Sequence, residues 1–261
     1  MLIDSHCHLN YENYKDINSV LKFSEENGVD TFIAIGASDG MKSCIETITL
    51  SKQSDRIFPT IGIHPHDAKL YDESIDKELR DIFKKENCVA VGEIGLDYYY
   101  DHSPKDIQRD VFKKQLKMAI DFNLPVIVHT RDAEEDTISL INEFRLKNKD
   151  IKILLHCFSG SEFLAKEMLK LDNVYFSFSG ILTFKKAEEI RDIAKFIPIE
   201  KILVETDSPY LTPTPFRGKT NHPAYVKYVA EKLAIIKDIS YKEVVDITRK
   251  NTISFFNLPI K

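Results

Sequence analysis

The feature that most constrains this chain is a rhythm. Short apolar runs alternate with stretches of helical spacing from one end to the other. The runs lie at 2–5, 31–35, 57–63, 88–94, 125–129, 152–156, 174–178 and 202–206. They are rich in Val, Ile and Phe, and several lack polar alternation, as strands buried on both faces of a parallel sheet do. Between them come helical patterns. Ser103-Pro104 with Asp106 reads as an N-cap, a first-turn proline and an acidic third position, ahead of Ile107, Val111, Leu116, Ala119 and Ile120. Ser240 with Glu243 reads as the capping box of a last helix that buries Val244, Val245, Ile247 and Phe255.

Eight strands, each followed by a helix, suit an α/β chain closed into a TIM-type (β/α)8 barrel. The 261 residues fit one barrel of roughly 250 residues, so 1–261 reads as a single domain. An open doubly wound sheet is the alternative, but no G-x-G-x-x-G follows the first strand. The only long irregular stretch, 209–223, follows the last strand, where a barrel keeps functional loops.

Net charge is −5, which excludes binding of nucleic acid by bulk positive charge, though not an enzyme that touches a few phosphates. The four cysteines, Cys7, Cys44, Cys88 and Cys157, show no C-x-x-C spacing and read as reduced thiols. The N-terminus lacks a basic region and a long apolar run, and no stretch reaches a membrane span. A cytoplasmic protein with no membrane contact and no obligate protein partner is the expectation.

The chemistry collects at the C-terminal ends of the strands. His6 and His8 end the first, His64 the third, Glu93 the fourth, His129 the fifth, His156 the sixth and Asp207 the eighth. In a barrel those ends converge on one mouth. In His6-Cys7-His8 strand alternation turns both imidazoles to one side and Cys7 to the other, and two neutral imidazoles on one face can chelate an ion. Each residue has a plainer reading. A lone histidine at a strand end is usually a hydrogen-bonded core residue, Glu93 could cap the next loop, and Asp207 could cap the turn before Pro209. Their concentration at one mouth favours a metal site. Glu93 could bridge two divalent ions ~3.5–4 Å apart, with His6, His8 and Asp207 on one and His129 and His156 on the other. Water shared by the ions would lose a proton near neutral pH and attack phosphorus or a carbonyl carbon. The mixed His and carboxylate donors suit Zn, Mn, Co or Fe, with Mg possible.

The chain resembles the TatD family of metal-dependent deoxyribonucleases, within the amidohydrolase superfamily. The likeness runs through Ile3-Asp4-Ser5-His6-Cys7-His8-Leu9, Gly62-Ile63-His64-Pro65-His66, Gly92-Glu93-Ile94-Gly95-Leu96-Asp97-Tyr98, Pro125-Val126-Ile127-Val128-His129-Thr130-Arg131, His156-Cys157-Phe158-Ser159-Gly160, Glu205-Thr206-Asp207-Ser208-Pro209 and Arg217-Gly218-Lys219-Thr220-Asn221. It implies metal ligands at His6, His8, Glu93, His129, His156 and Asp207, and work on substrate phosphate for His64. Many amidohydrolases bridge their ions with a carbamylated lysine on the fourth strand; Glu93 stands there instead. The implied reaction is exonucleolytic hydrolysis of single-stranded DNA, with a hydroxide activated by two divalent metals. An ester or amide hydrolase such as a D-aminoacyl-tRNA deacylase is the alternative.

Asp207, Glu93 and His64 are then the expected catalytic residues. Glu205, two residues before Asp207, is expected to support the site or to ligate an extra ion, and Asp4 to support it. Arg131 is a candidate for phosphate, or for a salt bridge to Asp132 or Glu205. Arg217 and Lys219 are candidates for the nucleic-acid backbone. One of Tyr98, Tyr99 and Tyr100, Tyr98 first, is expected to stack on a base, a contact worth ~1–3 kcal/mol. His66 and His222 are expected to support the site or to touch substrate, His102 to be ordinary surface, and Cys157 to be a buried thiol facing away from His156.

Overall fold

The computed structural model describes residues 1–12, 14, 16–146 and 148–260. Its eight strands form one parallel sheet in sequence order. They are β1 (Leu2–Cys7), β2 (Val29–Gly36), β3 (Ile57–Ile61), β4 (Ala90–Asp97), β5 (Val126–Arg131), β6 (Ile153–Leu155), β7 (Val174–Phe178) and β8 (Ile202–Val204). Helices α1 (Ile17–Glu26), α2 (Gly40–Ser51), α3 (Glu73–Lys85), α4 (Lys105–Phe122), α5 (Glu134–Arg145), α6 (Glu162–Leu169), α7 (Glu188–Phe196), α8 (Val226–Lys237) and α9 (Tyr241–Phe256) follow the strands. The sheet closes through a parallel bridge between Cys7 and Ser208, flanked by Asp207 N–H to His6 O (2.9 Å) and His8 N–H to Ser208 O (2.8 Å). The seam therefore lies at the mouth, among the residues singled out above.

Two cores result. One fills the space between strands and helices. The other lies inside the barrel and includes Ile33, Ala90, Ile127, Leu154 and Leu203, with Phe255, Phe256 and Leu258 from the end of α9 packed against them. Side chains two apart on a strand share a face. Ile127, Leu154 and Leu203 inside the barrel therefore put His129, His156 and Glu205 above them, facing the same axis. Apolar burial at the bottom fixes the aim of polar groups at the top.

Two glycines let β4 run close to β5. A Cβ on Gly95 (φ +141°) would meet His129 O at 2.0 Å, and one on Gly92 (φ +152°) would meet Ile127 O at 2.8 Å. Glu93 sits between them. The capping box of Ser240 and Glu243 is present at α9, where Val244 and Phe255 are buried and Val245 and Ile247 half-buried. The cap expected at Ser103 is not: Pro104 occupies the cap position of α4. The Ser103 hydroxyl instead donates to His66 O (2.7 Å) and accepts from Lys69 N–H (3.0 Å), tying two mouth loops together.

Candidate metal centre

Glu93 is the hub. Its Oε1 lies 2.7 Å from His156 Nε2, 3.0 Å from His129 Nδ1 and 3.4 Å from His64 Nε2, while Oε2 lies 3.5 Å from His6 Nε2. Asp207 Oδ1 is 3.5 Å from His6 Nε2 and 3.4 Å from His8 Nε2. The structure thus brings His6, His8, His64, Glu93, His129, His156 and Asp207 around one point. Burial raises the pKa of Glu93, but the imidazoles of His156 and His64 and hydrogen bonds from His129 and His156 outweigh it, holding the carboxyl well below the usual range. Asp207 is likewise held low against burial by His8 and His6.

Asp207 does not continue β8. Its backbone is left-handed (φ +55°), a region Asp tolerates better than most residues. Asp4, buried in β1, accepts from Thr206 N–H (2.9 Å) and Thr206 Oγ1 (2.5 Å). Asn221 donates to Thr206 O (2.9 Å) and Tyr210 O (2.6 Å). The turn that carries Asp207 is thus held from both sides.

The histidine partners select tautomers. His129 Nε2 lies 2.9 Å from Asp97 Oδ2. A carboxylate there accepts the Nε2–H of the ring, so that Nδ1, here on Glu93 at 3.0 Å, is the nitrogen a neutral ring would offer to an ion, a common way of orienting a metal-binding histidine. His156 Nδ1 faces Glu205 Oε1 at 3.5 Å, which leaves its Nε2 for the centre. His64 is the opposite case. Its Nδ1 accepts the His66 N–H (3.2 Å), and burial pushes its pKa down to about 4. A neutral ring that accepts at Nδ1 carries its proton on Nε2. His64 therefore presents an N–H, a hydrogen-bond donor, to the centre.

Do these residues fit metal ions? Among the described residues, both ring nitrogens of His6, Nδ1 of His156 and Oε1 of Glu205 are buried with no hydrogen-bond partner. Buried polar atoms are rarely left so. Three donor groups lie within 4.8 Å: His6 with His8 and Glu93; His6 with His156 and Glu205; and His64 with Glu93 and His129. The hydrogen bond at Nδ1 of His64 sets it apart from the other ligand candidates. Glu93, Asp97, Glu205 and Asp4 are buried carboxylates at or beside the centre, and such a concentration favours bound cations. The donor set fits.

Asp97 carries weight that the sequence did not reveal. Fully buried, it holds His129 and His66 on Oδ2 (2.9 and 3.0 Å) and the backbone N–H of Tyr99 and Tyr100 on Oδ1 (3.1 and 3.0 Å). Two buried glutamines on α4 brace this side. Gln108 bonds both backbone groups of Asp97 (2.8 and 2.9 Å), and Gln115 both those of Ile63, next to His64 (2.7 and 3.0 Å). Spaced seven apart on a helix face otherwise apolar, they were the available signal.

Several expectations change. Tyr98 is half-buried, with its hydroxyl on Asp136 (2.5 Å) and Lys105 over its ring, so it packs against α4 and α5 and is not a free stacking face. Tyr99 and Tyr100 are the exposed pair. Arg131 makes no salt bridge to Asp132 or Glu205; its guanidinium lies over the rings of Tyr99 and Tyr100. Arg217 is engaged within its own region, donating to Thr212 O (2.9 Å) and lying 3.8 Å over the Phe184 ring. Lys219 is exposed and lies over Phe216. Glu205 is paired with Ser177 (2.5 Å) and His156, with no cation beside it among the described residues. His66 touches Asp97. His222 caps the 3₁₀ turn before α8 through Nδ1 and packs on Tyr14 and Phe23. His102 is exposed, as expected, with its ring parallel to that of Tyr100. Cys7 does face away, its Sγ toward Ile33 O. Cys157 is only half-buried, in a left-handed turn (φ +45°) past the end of β6, its Sγ 3.2 Å from Ser179 Oγ. No helix among the described residues is long and apolar enough to cross a membrane.

Comparison with known proteins agrees with this geometry. A family model described as TatD related DNase matches residues 3–257. The uncharacterized metal-dependent hydrolase YabD of Bacillus subtilis is 39% identical over 99% of this chain and 100% of its own. The human 3'-5' RNA nuclease TATDN2 is 33% identical over 79% of this chain and 28% of that protein. Among solved structures, the TatD homologue YJJV of Escherichia coli superposes with a TM-score of 0.91 at 26% identity, covering 99% of this chain and 98% of that one. The barrel, the Glu93-centred histidine cluster and these likenesses agree: the chain belongs to the TatD family of metal-dependent hydrolases.

Proposed function

We propose that this chain hydrolyses phosphodiester bonds of single-stranded nucleic acid, DNA first, from a strand end, with two divalent ions. The observation that carries the reading is Glu93, whose two oxygens face His6 on one side and His129 and His156 on the other. The family description as DNases and the printed activity of the human relative support phosphodiesters as the substrate. His6, His8, Asp207 and Glu93 would hold one ion, and Glu93, His129 and His156 the other; the native metal is Mg, Mn, Zn, Co or Fe by donor type.

Bound there, the ions supply positive charge for the phosphoryl oxygens and make water acidic enough to act near neutral pH. Asp207, half-buried at the mouth, takes the proton of the attacking water. His64 offers its Nε2–H to a non-bridging phosphate oxygen. Asp97 and Glu205 keep His129 and His156 in the tautomers that face inward. In this reading Glu205 acts as a positioning residue for His156.

The test strips the protein with a chelator, restores Mg, Mn, Co or Zn singly, and supplies end-labelled single-stranded DNA or RNA. Stepwise shortening that returns with metal and is absent in His6→Ala and Glu93→Ala is expected. Restored metal content with no cleavage of either polymer would overturn the reading and move attention to carbonyl esters such as D-aminoacyl-tRNA.

A further inference from the structure

Beside the centre stands a group of rings that the site chemistry does not use. Tyr99 and Tyr100 are 57% and 50% exposed, unusual for two adjacent large aromatics, and their rings meet edge to face at 4.9 Å. The guanidinium of Arg131 lies 4.0 Å from the Tyr99 centroid and 4.7 Å from that of Tyr100. His102 lies parallel to Tyr100 within 6°, at 5.7 Å. His66 packs edge-on against both Tyr100 and His102.

The group is rigidly indexed to the centre. The Tyr98 N–H donates to Arg131 O (2.9 Å), which aligns the two loops. The Asp97 carboxylate that holds His129 also holds the backbone of Tyr99 and Tyr100. A recess of about 380 Å³, lined by Asp39, His64, His66, Asp67, Lys69 and His102 among others, opens beside the centre on this side. Arg131 makes no hydrogen bond or ion pair with another described side chain. Stacking occupies the face of its guanidinium and leaves the in-plane N–H groups for a phosphate.

We propose that Tyr99, Tyr100 and Arg131, backed by His102, form the seat for one nucleotide of a single strand, next to the bond that is cut. The face of Tyr99 turned away from Arg131 takes the base, with Tyr100 packed edge-on beside it, and Arg131 takes the phosphate that follows. The inference rests on the phosphodiesterase reading above and adds to it a specificity subsite. Aromatic stacking is tolerant of base identity, so the seat selects unpaired strands, whose bases are free to leave a duplex, without selecting sequence.

The test uses the metal-loaded protein and three probes. One is a fluorescent phosphorothioate-linked single strand, slow to cleave, read by anisotropy. The second is the same strand with an abasic residue at its end. The third is bis(4-nitrophenyl) phosphate, a diester too small to span the seat. Tyr99→Ala/Tyr100→Ala should weaken binding of the first by about tenfold or more, from the ~1–3 kcal/mol of one stacked base. It should leave binding of the abasic strand and turnover of the small diester within about twofold. Tyr100→Phe should retain affinity, and Arg131→Lys should lose it. Wild-type binding that the double substitution leaves unchanged would overturn the seat while sparing the nuclease reading. An equal loss of small-diester turnover would also overturn it, because the tyrosines would then merely support the centre. Failure of the wild type to bind any strand while it turns over the small diester would overturn both.

Discussion

The two flanks of the centre are built differently. On the β4–β5 flank the side chains are held by hydrogen bonds. His129 uses both ring nitrogens, Asp97 four contacts, and Gln108 and Gln115 brace the loops from α4. On the β1–β8 flank, both ring nitrogens of buried His6 lack a hydrogen bond. His6 is oriented by stacking on His156 (4.1 Å, 7°) and by the main-chain seam at Asp207 and Ser208. Burial, with the neighbouring His156 imidazole, lowers the His6 pKa and favours its neutral form. One flank is held by the protein's own hydrogen bonds; the other, on the proposed reading, is completed by a bound ion. Cation affinity is best drawn from a flank with unsatisfied donors, and geometric precision from one already fixed.

The largest effect should come from the residue common to both. Glu93→Gln removes the charge proposed to stand between the ions, and activity should fall to background while bound metal drops below the wild-type content, read by elemental analysis. Wild-type metal content in that variant would break the comparison at its hinge. Gly95→Ala attacks the prebuilt flank: the methyl group would overlap His129 O in a backbone region hostile to L side chains. A loss of several kcal/mol of stability, ~2 or more, is expected by denaturant melting. An unchanged midpoint would mean that β4 and β5 are not tightly joined.

Asp97→Asn should lower metal affinity or turnover by about 10- to 100-fold, the usual range for the partner of a ligating histidine. Glu205→Gln should do less, because its contact with His156 is longer. A Glu205 effect larger than that of Asp97 would reverse the assignment of the flanks. Removing metal should speed backbone hydrogen exchange around 5–9 and 204–210 more than around 93–98, by mass spectrometry. The smallest effect lies outside both flanks. Burial pushes His222 down to about 4, so its neutral form is favoured by folding. The stability it contributes is present above the unfolded value of roughly 6.5 and is lost as pH falls toward 4. His222→Asn, which keeps a capping acceptor, should flatten stability between those limits with turnover unchanged.

The barrel was legible because strands buried on both faces leave long apolar runs that little else produces. The cluster at the mouth was legible for the same reason: a polar residue that ends such a run, as His129 and His156 do, has one place to point. Its partners were less so. Asp97 stands in a quoted motif, yet its contacts with His66 and the Tyr99–Tyr100 backbone depend on where separate loops meet. Tyr98, Tyr99 and Tyr100 are alike in sequence; the turn held by Asp97 sends the first under α4 and the other two outward. In sequence Asp207 reads as the end of the eighth strand, whereas a left-handed turn past β8 delivers it. Ser103 has the spacing of a cap, but a tertiary partner, His66 O, competes for its hydroxyl.

The central claim is that Glu93 stands between two ions, with His129 bound through Nδ1 and His64 bound to neither. Anomalous diffraction from crystals soaked in manganese tests it most directly. The account predicts two peaks flanking the Glu93 carboxylate, ~3.5–4 Å apart, with Asp97 still on His129 Nε2. A single peak, or an ion on His64 Nε2, would contradict it.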